Sequence, residues 1–485
     1  MAKSLGKKQL LKRILLLVWI AFICFACVYP MKLAPMWNGE IPDHRNQYEL
    51  MAESLLHGHL YLEKEVTPQL LALDNPYDYD ARVAAGLSEG TDFQWDHALY
   101  KGHYYMYFGV VPTILLFLPY RAITGTSLTT YHATQIFTIF IIIGFFALFG
   151  FLRKRFAPSM HAAIYVVLTT ALSVASVWYF IPTPALYCTA ISSGVCMMTW
   201  AIYFYIRAVF DEFTLNKRIG FAVVGALFGA LAFGCRPPVA LANIVAIPLF
   251  IVFLKTNKIQ KADIKKIVLI ALPYVVIGVL LMLYNYARFD NPFEFGQKYQ
   301  LTNTDQSAYH FPKGLGPMRW FNGMYQMFFE TKPLAREFPY VNYAGMLYEF
   351  PLFFAGIGAF CLRKSMRVKA RTAKLLGFLV TILITLGAIV MFQVSMSPGL
   401  MERYQSDAYY LVAIFSFIIF AFMNNEAEGK ARRWFYVGTV ILALITIAVA
   451  FLLFFVPQDC NLMEWYPEKL QAIRMFMGRF DFLIW

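Results

Sequence analysis

Apolar runs, each about as long as the ~20 residues a helix needs to cross the hydrocarbon of a bilayer, recur along this chain and leave it few ways to fold. They lie near 14–31, 130–152, 160–182, 186–208, 219–235, 239–254, 267–287, 341–362, 375–396, 407–424 and 434–456. Inside hydrocarbon every backbone polar group needs an internal partner, so the expected fold is an all-α polytopic membrane protein of about eleven transmembrane helices. Composition agrees. Hydrophobic residues make up 59% of the 485 and charged ones only 15%, against roughly half and a quarter in soluble domains.

Charge then orients the spans. With the N-terminus inside, the short cytoplasmic segments hold Lys3, Lys7, Lys8, Lys12 and Arg13, then Arg153, Lys154 and Arg155, then Arg207, Lys217 and Arg218. They continue with Lys255, Lys258, Lys261, Lys265 and Lys266, then six cations between Arg363 and Lys374, then Lys430, Arg432 and Arg433. The same segments contain only Asp211, Glu212, Asp263, Glu426 and Glu428 as acids. This is the positive-inside bias. It predicts an integral plasma-membrane protein with a cytoplasmic N-terminus and an outer C-terminus. It also accounts for the net charge of +13 without a nucleic-acid partner. The basic start and first apolar run resemble a signal peptide, but no small-residue cleavage site follows, so an uncleaved first helix is expected. The run from Met106 to Tyr120 is short, contains Pro112 and Pro119 and ends at Arg121. Counting it as a span would reverse the charge bias, so it is read as interfacial or re-entrant.

A single integral domain over 1–485 is therefore expected, with a first outer loop at 32–129, a second at 288–340 and an outer tail at 457–485. The seven cysteines lie mostly in apolar runs and form neither a zinc motif nor a disulfide framework. No internal repeat is visible, which weighs against repeat-built transporters.

Candidate chemistry concentrates outside. The first loop opens with Trp37, Glu40, Asp43, His44 and Arg45. An amphipathic helix follows, with Tyr48, Met51, Ala52, Leu55 and Leu56 on one face and Gly58 as its stop. Asp43 just ahead of it reads as an N-cap, worth about 1 kcal/mol, or as a carboxylate general base at the membrane face. Trp95 and Asp96 follow, suited to a sugar by stacking and hydrogen bonding. Lys101 and Gly102 predict a tight turn between extended pieces, next to His103 in a tyrosine-rich belt. Arg236 and Arg288 stand at outer span ends, where they can snorkel to headgroups or meet a phosphate. Glu402, Arg403, Tyr404 and Asp407 mark re-entry into the bilayer. A cation there opposes both the charge bias and the helix dipole. It reads either as an ion pair with Glu402 or Asp407, or as a bidentate clamp on a lipid phosphate.

This layout resembles the GT-C superfamily of membrane glycosyltransferases, such as aminoarabinose transferases and protein O-mannosyltransferases. Asp43 to Gly58, with Tyr48 and Ala52, looks like the family's acidic motif and first surface helix. Tyr104 to Gly125 looks like the second surface helix, and Arg403-Tyr404 looks like the late Arg-Tyr motif. Two features depart from the family. No second acid adjoins Asp43, which lies one residue further from Tyr48 than the pattern has it, and only Pro112 stands near the second helix. The resemblance implies an inverting glycosyltransferase that moves a sugar from a polyprenyl-phosphate donor to a glycan, lipid or protein acceptor of a cell envelope, in a membrane expected to be bacterial. Asp43 would be the base, with Glu40, Glu49 and Asp96 as alternatives. Arg403, with Arg236 or Arg288, would hold the donor phosphate. Glu40, Tyr48, Trp95, Asp96, His103, Tyr404 and Asp407 would contact substrate. Carboxylate spacing specifies no metal site, although the loop has acids enough for a divalent ion. The alternative function is a transporter or flippase of lipid-linked glycans, which would need charged groups deep in the spans.

Overall fold

The computed structural model describes residues 2–33, 46–258, 263–306, 316–332, 341–360, 370–396, 400, 402–454, 456 and 467–479. The chain is an all-α polytopic protein. Ten described helices are long and apolar enough to cross a membrane: Gln9–Leu33, Thr130–Phe156, Ala162–Phe180, Leu186–Phe210, Leu215–Phe233, Pro237–Thr256, Ile264–Phe289, Leu375–Met396, Tyr409–Glu426 and Gly429–Leu453. Each coincides with an expected span.

The eleventh differs. Where a span over 341–362 is expected, 341–345 is irregular, a single turn covers Met346–Glu349, and the apolar helix starts only at Pro351 and runs to Phe360 within the described residues. Proline suits a first helical turn because it has no N–H to leave unpaired. The break frees Ala344 to donate its N–H to the buried Glu349 carboxylate at 3.0 Å, so the stretch serves a polar site.

The bundle is layered by burial. Leu186–Phe210 is innermost, with 83% of its apolar window buried, whereas Ile264–Phe289 has 6% buried and faces the surroundings. Small residues set the close approaches. A Cβ on Gly225 would come within 2.7 Å of the Tyr205 ring, so glycine there lets Leu215–Phe233 lie against Leu186–Phe210. Deep polar groups pair with one another: the Tyr205 and Tyr274 hydroxyls are 2.5 Å apart, and Asn243 donates to the Gly229 carbonyl at 2.9 Å.

Two surface helices come from the first long loop. Gln47–Leu56 buries Tyr48, Met51 and Ala52, with Leu55 partly covered. Leu56 departs from the expected face and is 50% exposed. Asn46 precedes the helix without a side-chain cap, and Gly58 beyond its end has φ +82°. Of the expected second helix, Tyr104 belongs to a strand. The helical part covers Thr113–Phe117 and Leu118–Thr124 and stops at left-handed Gly125. These twelve residues are too short to span, in keeping with an interfacial element. Arg121 donates to Glu53 at 2.6 Å and joins the two helices. Strands β1 (Ala98–Tyr100) and β2 (His103–Tyr105) form the hairpin expected around Lys101 and Gly102, whose φ values of 47° and 78° make the tight turn.

The interfacial stretch docks on the bundle by backbone contact. Val111 donates its N–H to the Gly234 carbonyl at 2.8 Å, and a Cβ on Gly109 would collide with that same carbonyl. We therefore predict that Gly109→Ala loses about 1–3 kcal/mol, the usual cost of overpacking. Its apparent melting temperature in a fixed detergent should fall below that of Gly278→Ala, where the added methyl meets open space. Equal melting temperatures would refute the docking role.

Candidate functional site

Arg236, Asp407, Arg403, Tyr404 and Asp96 are far apart in sequence but converge where the long loops meet the bundle. Arg236 follows the end of Leu215–Phe233, where the chain turns into Pro237, and its guanidinium donates from Nε and Nη2 to Asp407 at 2.5 and 3.0 Å. Asp407 is fully buried, and Gln393 adds a third donor at 2.8 Å. A fork matched to a carboxylate in this way is the strong form of a charged hydrogen bond. The Gln393 amide also donates to the Tyr404 carbonyl at 3.0 Å, so the pair fixes the Glu402–Asp407 turn that carries Arg403.

Arg403 is only partly buried. Its guanidinium lies 4.0 Å from the centre of the Tyr187 ring and 5.5 Å from that of Tyr404. The ion-pair reading named Glu402 and Asp407 as its partners. The structure gives Glu402 to Lys332 at 2.9 Å and Asp407 to Arg236. Among the described residues no carboxylate is within salt-bridge distance of Arg403, although Asp96 contributes to its field.

Asp96 is buried, with φ 56°. That left-handed conformation is uncommon for a residue with a side chain and is tolerated best by Asp and Asn. Three stretches of chain hold it there. Its N–H donates to the Leu301 carbonyl and its own carbonyl accepts from Gln47 Nε2, both at 2.9 Å. Gln300 donates to Oδ1 at 2.8 Å, and the Tyr187 hydroxyl donates to Oδ2. Tyr187 thus holds the Asp96 carboxylate by its hydroxyl and carries Arg403 on its ring. Tyr107, partly buried, lies in the combined field of Tyr404, Arg236, Asp96 and Arg403. Burial pushes its hydroxyl up to about 12, so it is a proton-bearing donor at neutral pH.

The other candidates are placed differently. Glu40 and Asp43 lie outside the described residues. Tyr48 is buried, stacked on Phe117 with centroids 5.3 Å apart, and lies in the field of Arg236. Trp95 meets the edge of Tyr79. His103 is exposed at the hairpin tip, stacked on Tyr61 at 4.3 Å. Arg288 is buried, donates to the Met106 carbonyl at 2.8 Å and to Asn285 at 2.9 Å, and lies over Tyr284. Among the described residues no group of three or more His, Cys, Asp or Glu is arranged to hold a metal ion. Sequence reading missed Tyr187, Gln300 and Gln393. Tyr187 sits at the start of an apolar helix after Pro184 and reads there as one more interfacial aromatic.

No protein-family model matches the sequence, and neither does any curated protein. Two solved structures show a distant likeness. One is the apo oligosaccharyltransferase of Archaeoglobus fulgidus, at 12% identity over 89% of this chain, with a TM-score of 0.46. The other is the oligosaccharyltransferase AglB of the same organism in complex with an inhibitory peptide and a dolichol-phosphate, at 13% identity over 90% of this chain, also with a TM-score of 0.46. In both cases this chain spans 55% of the length of the matched one.

The buried pair makes a prediction. Asp407→Asn leaves the Arg236 charge without its counterion, at a cost of about 3–5 kcal/mol. The double variant Arg236→Met, Asp407→Leu removes both charges and should recover most of that loss. Thermal unfolding of the three proteins in one detergent tests this; a double variant no more stable than Asp407→Asn would show that the pair is not the source.

Proposed function

We propose that this chain is an inverting membrane glycosyltransferase that moves a sugar from a polyprenyl-phosphate donor to a cell-envelope acceptor on the outer face of the membrane. The observation that carries this reading is the charge state around Arg403. Both acids that flank it in sequence are matched to other cations, so a partly exposed guanidinium is left for an anion. A lipid phosphate is the anion expected at a membrane edge, and a planar guanidinium suits two of its oxygens.

In the proposed reaction a carboxylate takes the proton of an acceptor hydroxyl. That oxygen attacks the anomeric carbon from the face opposite the phosphate. The bond from carbon to the phosphate oxygen breaks, and its electron pair leaves with the lipid phosphate. Inversion follows from the opposite-face attack. Arg403 stabilises the charge that grows on the leaving oxygen. Tyr187 and Tyr404 set its plane, and Arg236 acts through Asp407 by holding the turn. Asp43 is assigned as the base, with Glu40, Glu49 and Asp96 as its alternatives. Asp96 lies in the field of Arg403, and its carboxylate accepts from Gln300 and Tyr187. Trp95 and His103 are assigned to looser substrate contact, and Arg288 is kept as an alternative partner for the donor phosphate.

The test is transfer of radiolabelled sugars from a panel of polyprenyl-phosphate donors to a crude envelope acceptor by the full chain in lipid. Arg403→Ala should slow transfer roughly 100- to 1,000-fold, the size of losing one transition-state donor. Replacing the true base, in the set Asp43→Asn and Asp96→Asn, should slow it about 100- to 10,000-fold. No transfer from any donor, with movement of lipid-linked glycans across the bilayer instead, would replace this reading with the flippase.

A further inference from the structure

Beside the Arg403 turn lies a small open cleft. Its walls are the helix Pro317–Phe328, the irregular stretch before Met346, and the Glu402–Asp407 turn. Tyr404 belongs both to this cleft and to the Arg403 cluster, whereas Arg403 itself does not line the cleft.

We infer that this cleft binds a sugar unit of the acceptor, as a site for a neutral, hydroxyl-rich ring. Three observations support this. First, the lining holds both donors and acceptors. Gln326, Glu330, Lys332, Glu402 and Gln405 all belong to it, and neighbouring sugar hydroxyls each donate and accept. Tyr404, partly exposed, adds an aromatic edge for the ring's C–H groups. Secondly, charge excludes the donor phosphate. Lys332 is already paired with Glu402, and Glu330 adds a negative charge, so an anion is repelled here, while Arg403, outside the lining, draws it away from the cleft. Thirdly, the floor is fixed in advance. Buried Glu349 accepts the Ala344 N–H at 3.0 Å, and the Tyr409 hydroxyl lies 2.7 Å from its Oε2 and 2.5 Å from Gln405 Oε1. Gln405 in turn donates to the Ala344 carbonyl at 2.9 Å. This network ties both walls together, and it explains why the expected span is broken at Glu349. In contrast, the Gln326 and Glu330 side chains have no hydrogen-bond partner among the described residues, so they are available to a ligand and dispensable to the fold.

The acceptor role rests on the proposed transferase reading; the saccharide site stands or falls separately. The test uses the full chain in nanodiscs and saturation-transfer NMR with four probes: methyl glycosides of glucose, mannose, galactose and N-acetylglucosamine. At least one should receive saturation from the wild type, and its affinity should fall at least tenfold in both Gln326→Leu and Glu330→Ala. No binding by any of the four, binding unchanged in the variants, or competition by inorganic phosphate would overturn the site. In the transfer assay the same variants should raise the acceptor KM at least tenfold and leave the donor KM unchanged. Transfer with an unmoved acceptor KM would refute the inference and leave the transferase standing. Glycoside binding lost in the variants, without any transfer, would refute the transferase and leave a saccharide site.

Discussion

Asp96 is the joint on which the loop side of this protein depends. Its backbone and carboxylate together engage the surface helix through Gln47, the second long loop through Gln300 and Leu301, and the innermost span through Tyr187. Each of these contacts is local and modest, since a single hydrogen bond contributes only about 1 kcal/mol net. Their effect comes from converging on one buried residue held in a left-handed conformation that only a surrounding structure can enforce. Without that joint, the two long loops would have no common reference to the bundle.

Charge allocation follows from the same geometry. Of the ionisable side chains around the Glu402–Asp407 turn, four are consumed in two pairs, Arg236 with Asp407 and Lys332 with Glu402. The pairs differ in kind. The first is buried and forked, so removing one partner would strand a charge in a medium that cannot solvate it. The second is partly exposed and contributes little to stability, but it decides which cations and acids remain unmatched nearby. Among those left are Arg403 on its tyrosine platform and Glu349 under the cleft wall. One offers positive charge to a ligand, and the other orders a polar surface.

Much of the fold was legible because hydrocarbon imposes a rule that sequence cannot evade. A run of about 20 apolar residues must be helical to satisfy its own backbone, and ten such helices are where their apolar runs place them. The hairpin at Lys101-Gly102 and the end of the first surface helix at Gly58 were legible for a similar reason: their backbone geometry needs residue types found nowhere else nearby. The eleventh span was not readable. Its apolar content reaches back to 341, yet the start of the helix is set by where Glu349 and Ala344 pair, and hydropathy is blind to that.

The candidate site divides along the same line. By themselves, the residues determined which side chains carried usable chemistry: a cation against the dipole at Arg403, an acid beside a tryptophan at Asp96, and an arginine before two prolines at Arg236. Only the tertiary structure decided their partners. From sequence, Arg403 has two acids within four residues, Glu402 and Asp407. In space, both are claimed by residues 70 and 171 positions away. The physical reason is that an ion pair depends on distance and desolvation in three dimensions, while sequence separation constrains distance only along one helix turn. Tyr187 makes the same point. In the sequence it is one of 30 tyrosines. In the structure its hydroxyl and its ring face join the carboxylate and the guanidinium around which the site is built.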